Sequence, residues 1–382
     1  MKNARIVLST YSSDTFGVCS ALYELGGMTV MHDASGCNST YSTHDEPRWY
    51  HSQSLVFISG LTETDAILGN DGKFIDDVVK AIDELSPSFA AIAGTPIPWM
   101  SGFDIRAAAA AIEEKTGIPC LWFDTNGMNS YVFGAGEALA SIAERFTEPC
   151  MNKRPRGVNI LGATPLDFSL SGTVPSIRKL LSENGWDVVS CFAMGDSLRE
   201  LKRAGEASAD LVISGTGMKA AKALYDKYGI PYVVGTPVGA FSGEVLRTLE
   251  KTLNDGENRM AFSGFIPDKS DAVIIGESVI SRSVAAAFKM ECGIMPRVIN
   301  SVDEPEELFG VLSPGDLTLS GEEEIEEACR EAALVAADPL YKAVIPQNAR
   351  LIPMPHVAFS GRIYRDSVPD LTAFHPGRCA IL

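Results

Sequence analysis

Basic residues are scarce in this chain. Across 382 residues, 32 Lys and Arg face 49 Asp and Glu, a formal net charge of −17, and there are only five His. An acidic surface repels nucleic-acid phosphates and anionic lipid headgroups, so neither nucleic acid nor a membrane is an expected partner. Long hydrophobic runs are missing as well. The apolar stretches are strand-sized, short of the roughly 20 residues a membrane-spanning helix needs. The start, Met1-Lys2-Asn3-Ala4-Arg5, leads into only a few apolar residues. No signal peptide is therefore expected, and the expected location is the cytoplasm.

Nucleotide-binding signatures are also absent. There is no G-x-x-x-x-G-K-[ST] loop, and Gly215-Thr216-Gly217, Gly235-Thr236-Pro237-Val238-Gly239 and Gly276-Glu277-Ser278 do not complete a dinucleotide fingerprint. This chain is expected to bind no nucleotide. Its eight cysteines are scattered without the spacing of a disulfide framework. Cys120 and Cys191 fall in strand-like runs and Cys329 in an acidic helix read over 321–337, all structural positions. Cys379-Ala380-Ile381-Leu382 matches C-a-a-X, but no polybasic stretch precedes it, so lipidation is not expected.

What the sequence does contain is a regular alternation of strand-like and helix-like runs, the pattern of parallel α/β layers. Strands are expected at 4–9, 55–59 and 89–93, with helices over 76–85 and 105–115, the second ending near Gly117. A second series has strands at 157–162, 186–191, 210–214 and 231–235 and a helix over 174–184. A third has strands at 272–276, 297–299 and 350–352 and a helix over 281–291. The expected fold is α/β, three Rossmann-like domains with central parallel sheets. The expected domains are 1–155, 156–265 and 266–382, the first closed by the linker 147–156 with its prolines and charges.

Residues 17–50 do not read as a routine connection. Cys19, His32, Asp33, Cys37, Tyr41, His44, Asp45, Glu46, Arg48, Trp49 and Tyr50 crowd into what look like loops, where a structural link needs few such groups. A Cys preceded by Gly, as Cys37 is, can present its thiolate to a metal or cluster. The Cys19–Cys37 spacing matches no short zinc or ferredoxin motif and leaves a metal role open.

Here the sequence resembles the nitrogenase component 1 family, including its nitrogenase-like oxidoreductases. Ser35-Gly36-Cys37-Asn38-Ser39-Thr40-Tyr41-Ser42 is similar to the family's cluster-ligand loop, in which Gly-Cys is closely followed by Tyr-Ser. Gly60-Leu61-Thr62-Glu63-Thr64-Asp65-Ala66-Ile67-Leu68-Gly69 resembles its L-T-E-x-D-x-I-x-G segment, and Gly102-Phe103-Asp104-Ile105 its G-D-D-I. Val158-Asn159-Ile160-Leu161-Gly162, Tyr228-Gly229-Ile230-Pro231-Tyr232 and Pro237-Val238-Gly239 continue the likeness.

The resemblance implies a three-domain subunit paired as a homodimer, or as a heterodimer with a related component 1 chain. It implies a [4Fe–4S] cluster at the subunit interface, with Cys19 and Cys37 as metal ligands. It also implies electrons delivered by an ATP-hydrolysing iron–sulfur reductase homodimer, and a small organic substrate reduced in the interdomain cleft. Two departures accompany it. Thr95 stands where the family's third cysteine is expected, so a four-thiolate cluster would need two ligands from each of two chains or an unlike partner. The strand end 211–217 lacks the cysteine that holds the molybdenum–iron cofactor, which makes dinitrogen reduction an unexpected activity.

Reduction of an organic substrate needs protons, and His is the natural shuttle near neutral pH. His44, after the cluster loop, and His356, in the Pro353–Arg362 run, are the catalytic candidates; His51 and His375 read as surface groups. Arg48 and Arg362 are candidate forks for a substrate carboxylate, the alternative being ordinary salt bridges. Asn126, Asn129 and Tyr131 follow a strand end and resemble the segment lining the family's substrate pocket; Asn-Gly turn chemistry is the plain alternative. The functional expectation is the catalytic component of a nitrogenase-like reductase. A metal-cofactor assembly scaffold and a cluster-free binding protein are the other readings.

Overall fold

The structure is a computed structural model that describes residues 8, 12–34, 36–41, 45–267, 271–302, 306–308 and 310–377, with the backbone but not the side chain of Cys37. Of the expected strand at 4–9 only Leu8 is described, and His44 and Cys379 lie outside the described residues.

Fourteen short strands form three sheets along the described chain. The first holds β1 (Met28–Met31), β2 (Leu55–Ile58), β3 (Ala90–Ala93) and β4 (Cys120–Phe123), in the order β2-β1-β3-β4. The second holds β5 (Gly157–Leu161), β6 (Asp187–Cys191), β7 (Ala209–Val212), β8 (Tyr232–Val234) and β9 (Arg259–Met260), ordered β6-β5-β7-β8-β9. The third holds β10 (Ala272–Gly276), β11 (Arg297–Asn300), β12 (Leu317–Thr318), β13 (Leu334–Ala337) and β14 (Arg350–Pro353), ordered β12-β11-β10-β13-β14. Every neighbouring pair is parallel. The central strands are buried and mostly apolar, with Thr29, Asn159 and Asp210 as polar exceptions, because both faces are covered by helices.

Each sheet reverses its strand order beside its first strand, at β1/β3, β5/β7 and β10/β13. In open parallel sheets these reversals open crevices at the carboxyl ends of the strands, where ligands sit. The loops that matter therefore start at His32 and Gly94, at Gly162 and Ile213, and at Glu277 and Asp338.

Two local expectations need correction. Cys19 does not sit in a loop: Asp14–Leu22 is a helix buried along its whole length. It packs so closely on the helix Tyr131–Phe146 that a Cβ at Gly17 would enter the Tyr131 carbonyl, and one at Gly134 the Asp14 carbonyl. The run after it contains β1, a central strand, rather than continuous loop. The acidic helix is also shorter than expected, Glu322–Cys329, because 334–337 forms β13. Among the described residues no helix is long and apolar enough to cross a membrane.

Candidate functional site in the cleft between the sheets

The crevice of the second sheet faces that of the third. After β5, Thr164 caps the short turn Pro165–Phe168: its Oγ1 donates to Asp167 Oδ2 at 2.6 Å and accepts from the Asp167 N–H at 3.3 Å. The other carboxylate oxygen, Oδ1, accepts the Tyr131 hydroxyl at 2.6 Å and lies 3.3 Å from His356 Nε2. Tyr131 Oη and His356 Nε2 are 3.5 Å apart. Tyr131 follows β4 of the first sheet, Asp167 follows β5 of the second and His356 follows β14 of the third, so side chains from all three units meet at one carboxylate.

His356 is fixed from behind. Its backbone N–H donates to Asp338 Oδ2 at 2.9 Å, and the Ser360 hydroxyl donates to the same oxygen at 2.7 Å. Its Nδ1 accepts the Ala358 N–H at 3.2 Å, which places the neutral ring's proton on Nε2, toward Asp167. The ring stacks on Phe359 with centroids 4.4 Å apart. Hydroxyl, carboxylate and imidazole form one buried cluster, with every member held by a second partner.

Asp167 and His356 border a small cavity of about 40 Å³, whose other walls include Ile274, Glu277, Ile280 and Met354. Glu277 closes one end. Its carboxylate accepts from Val279 N at 3.0 Å and Ile280 N at 2.9 Å, placing an anion at the start of the helix Ser278–Cys292. It also accepts the Gly215 N–H at 2.9 Å, which ties the third sheet's loop to the second's.

Of the sequence candidates among the described residues, Tyr131 and His356 meet at Asp167. Asn129 Nδ2 donates to Asp14 Oδ2 at 3.0 Å, and Asn126 Oδ1 accepts the Met128 N–H at 3.0 Å in an Asn-Gly turn, so both organise the 126–129 loop. Arg362 is exposed and pairs with Asp45 at 2.9 Å. Arg48 is buried, and its fork is filled by the protein itself: Nε donates to Glu46 at 2.7 Å, Nη1 to Glu24 and to Ala193 O at 2.9 Å, and Nη2 to Ser20 O at 2.6 Å. The carboxylates it clamps are internal. His375 bonds Glu291 at 2.9 Å, away from the cleft.

Asp167, Asp338, Thr164 and Ser360 were not anticipated. A signal for the first was present: Thr164-Pro165-Leu166-Asp167 is a capping pattern directly after a strand, where α/β sheets bind ligands.

The crevice of the first sheet is where the resemblance places a cluster. Cys19 is 1% exposed, and its thiol is pushed up to about 12 by burial and then by the nearby Glu46 carboxylate. Thr95 is committed as well, donating to His32 O at 2.6 Å, with Asp33 Oδ1 at 3.1 Å. Asn38 Nδ2 donates to Asp33 Oδ2 at 2.8 Å. Among the described residues no group of three His, Cys, Asp or Glu is placed to hold a metal. A closed, protonated thiol and a bonded threonine do not fit a [4Fe–4S] site as they stand, and no step below is derived through one.

Three parallel sheets with flanking helices define an α/β protein, and Tyr131, Asp167 and His356 meet between them. The family follows from comparison. The model of the nitrogenase component 1 type oxidoreductases matches residues 14–299, and the chain belongs to that family. It is similar to the nitrogenase iron-molybdenum cofactor biosynthesis protein NifE of Bradyrhizobium diazoefficiens, 28% identical over 251 residues, 64% of this chain and 43% of that protein. It is also similar to the nitrogenase molybdenum-iron protein alpha chain of Azospirillum brasilense, 27% identical over 53% of this chain and 45% of the relative. One of the subunits of the light-independent protochlorophyllide reductase of Leptolyngbya boryana is 30% identical over 33% of this chain and 25% of its own length. Each match spans less than half of the relative. The solved structure "Nitrogenase Cp1 at pH 5" superposes with a TM-score of 0.70 at 16% identity, covering 100% of this chain and 90% of the other, and carries the fold.

Proposed function

We propose that this chain is the substrate-binding, proton-delivering component of a nitrogenase-like reductase acting on a small organic molecule in the interdomain cleft. The observation that carries this reading is the meeting of Tyr131, Asp167 and His356 at one carboxylate, with Asp167 and His356 on the cavity wall. A carboxylate that accepts from both a phenol and an imidazole holds two proton donors, Tyr131 Oη and His356 Nε2, side by side, which suits protonation of a substrate that gains electrons. Electrons would come from an ATP-hydrolysing iron–sulfur reductase homodimer docking on a homodimer of this chain, or on its heterodimer with a related component 1 chain. On this reading the domains are 1–155, 156–265 and 266–382, and each contributes one member of the cluster.

A second reading, a scaffold on which a metal cofactor is assembled, is favoured by the similarity to NifE. The two separate in one anaerobic experiment on the purified protein with its reductase and ATP. A reductase acts when an organic compound bound to the chain is consumed in an ATP-dependent manner, and consumption falls about 100-fold or more in His356→Asn. Transfer of a metal cluster to an acceptor protein without such consumption would establish the scaffold instead.

A further inference from the structure

A second cavity lies away from the cleft and shares no lining residue with it. It sits on the outer side of the first sheet, between β1, the edge strand β2 and the helix Asp71–Leu85, with a volume of about 210 Å³. That is room for a small ring, since an apolar cavity of about 150 Å³ already takes up benzene, and the polar lining groups gather mostly toward one end. Met28, Val30, Phe57, Val78 and Ala81 supply apolar surface.

The polar group within is His32, 4% exposed and clasped between Phe74 and Phe103 at centroid distances of 4.2 and 4.3 Å. Ser59 Oγ donates to Asp33 O at 3.2 Å and accepts the Asp33 N–H at 3.1 Å. His32 Nδ1, 2.8 Å from the same oxygen, is then the donor to it. That tautomer leaves Nε2 an acceptor, with no hydrogen-bond partner among the described residues. Burial pushes the ring's pKa down to about 4, which keeps it neutral at physiological pH. The mouth carries three carboxylates and one ammonium: Asp65 is paired with Lys73 at 2.8 Å, Asp77 also acts on Lys73, and Asp71 has no ion-pair partner among the described residues.

We propose that this cavity binds a small aromatic amine whose ring lies on the apolar walls, whose N–H donates to His32 Nε2, and whose positive charge meets the carboxylates of the mouth. The inference stands independently of the cleft reading, because the two cavities have no residue in common.

Tryptamine is a suitable probe, with indole, 1-methylindole and indole-3-acetate as controls, titrated into the full chain by calorimetry. Tryptamine should bind saturably. Indole, lacking the charge, should bind about fivefold more weakly, and indole-3-acetate more weakly still. Methylating the ring nitrogen should weaken indole about fivefold more, since it removes the donor. Ala81→Phe, which fills the cavity from a half-buried helix position on the face of Phe74 and Val78, should abolish binding with the circular dichroism unchanged. The ligand series tests the proposal even if that variant does not fold. Absence of saturable binding by tryptamine, equal affinity for indole-3-acetate, or undiminished binding by a folded Ala81→Phe protein would overturn it.

Discussion

Removing Arg48 should damage the fold before it damages ligand binding. Its guanidinium carries five N–H groups, and the structure supplies acceptors on Glu46, Glu24, Ala193 and Ser20. Glu46 is 0% exposed, and without Arg48 its carboxylate keeps the Ser20 hydroxyl, at 2.9 Å, as its remaining side-chain donor. Breaking a buried pair from one side leaves an uncompensated charge, at a cost of about 3–5 kcal/mol. Arg48→Met should fall in that range. Arg48→Lys keeps the charge but cannot reach two carbonyls and two carboxylates at once, and should lose about 1–3 kcal/mol. Neutralising the orphan, in Arg48→Met/Glu46→Gln, should recover at least about 1 kcal/mol relative to Arg48→Met. Three packed units need not unfold in one step, so the assay is amide exchange of helix 14–22 under increasing denaturant, which reads the local unit directly. An Arg48→Met protein as stable as wild type but with weakened ligand binding would refute the reasoning and restore a substrate fork. A double variant no more stable than Arg48→Met would refute the account of Glu46.

Further expectations follow from single buried groups. Asp210 lies inside the second sheet, with Oδ1 bonded to Asn159 Nδ2 at 2.7 Å and no partner for Oδ2, and burial raises its pKa well above the usual carboxylate range. The protonated acid is the form that fits, so its contribution is full below the unfolded-state pKa and declines as pH rises toward the folded one. Asp210→Asn should therefore gain stability relative to wild type between about pH 4 and pH 8 in urea unfolding, and a constant difference would count against this. Cys19, with its thiol raised to about 12, should stay unmodified by iodoacetamide at neutral pH in peptide mapping of the native protein and react after unfolding. Native labelling at the rate of an exposed cysteine would show that the helix opens to expose a ligand. Tyr131→Phe removes one hydroxyl from Asp167 while keeping the ring, and should lower turnover about tenfold or more with substrate affinity little changed. A purely structural role for Tyr131 would leave turnover intact.

The strands were legible where they are runs such as Ala272-Val273-Ile274-Ile275, and the helix 105–116 where Gly117 takes the left-handed cap. Helix 14–22 was not legible, because burial on all sides leaves it no amphipathic stripe, and its chemistry-bearing residues read as loop. His356 and Tyr131 could be named one at a time, but not their meeting, since the contact between them spans 225 residues of sequence and only the packing of three sheets closes it. Arg48 illustrates the converse: its residue type suggests recognition, and only its neighbours show that its donors are spent internally.

Reductase- and ATP-dependent consumption of the cleft-bound organic compound, measured for wild type, Asp167→Asn and His356→Asn with binding followed in parallel, tests the central claim most directly. The account predicts turnover by wild type and losses of about 100-fold or more in both variants, with binding retained. Variants that turn over as wild type does, or a wild-type protein that hands on a metal cluster and consumes nothing, would contradict it.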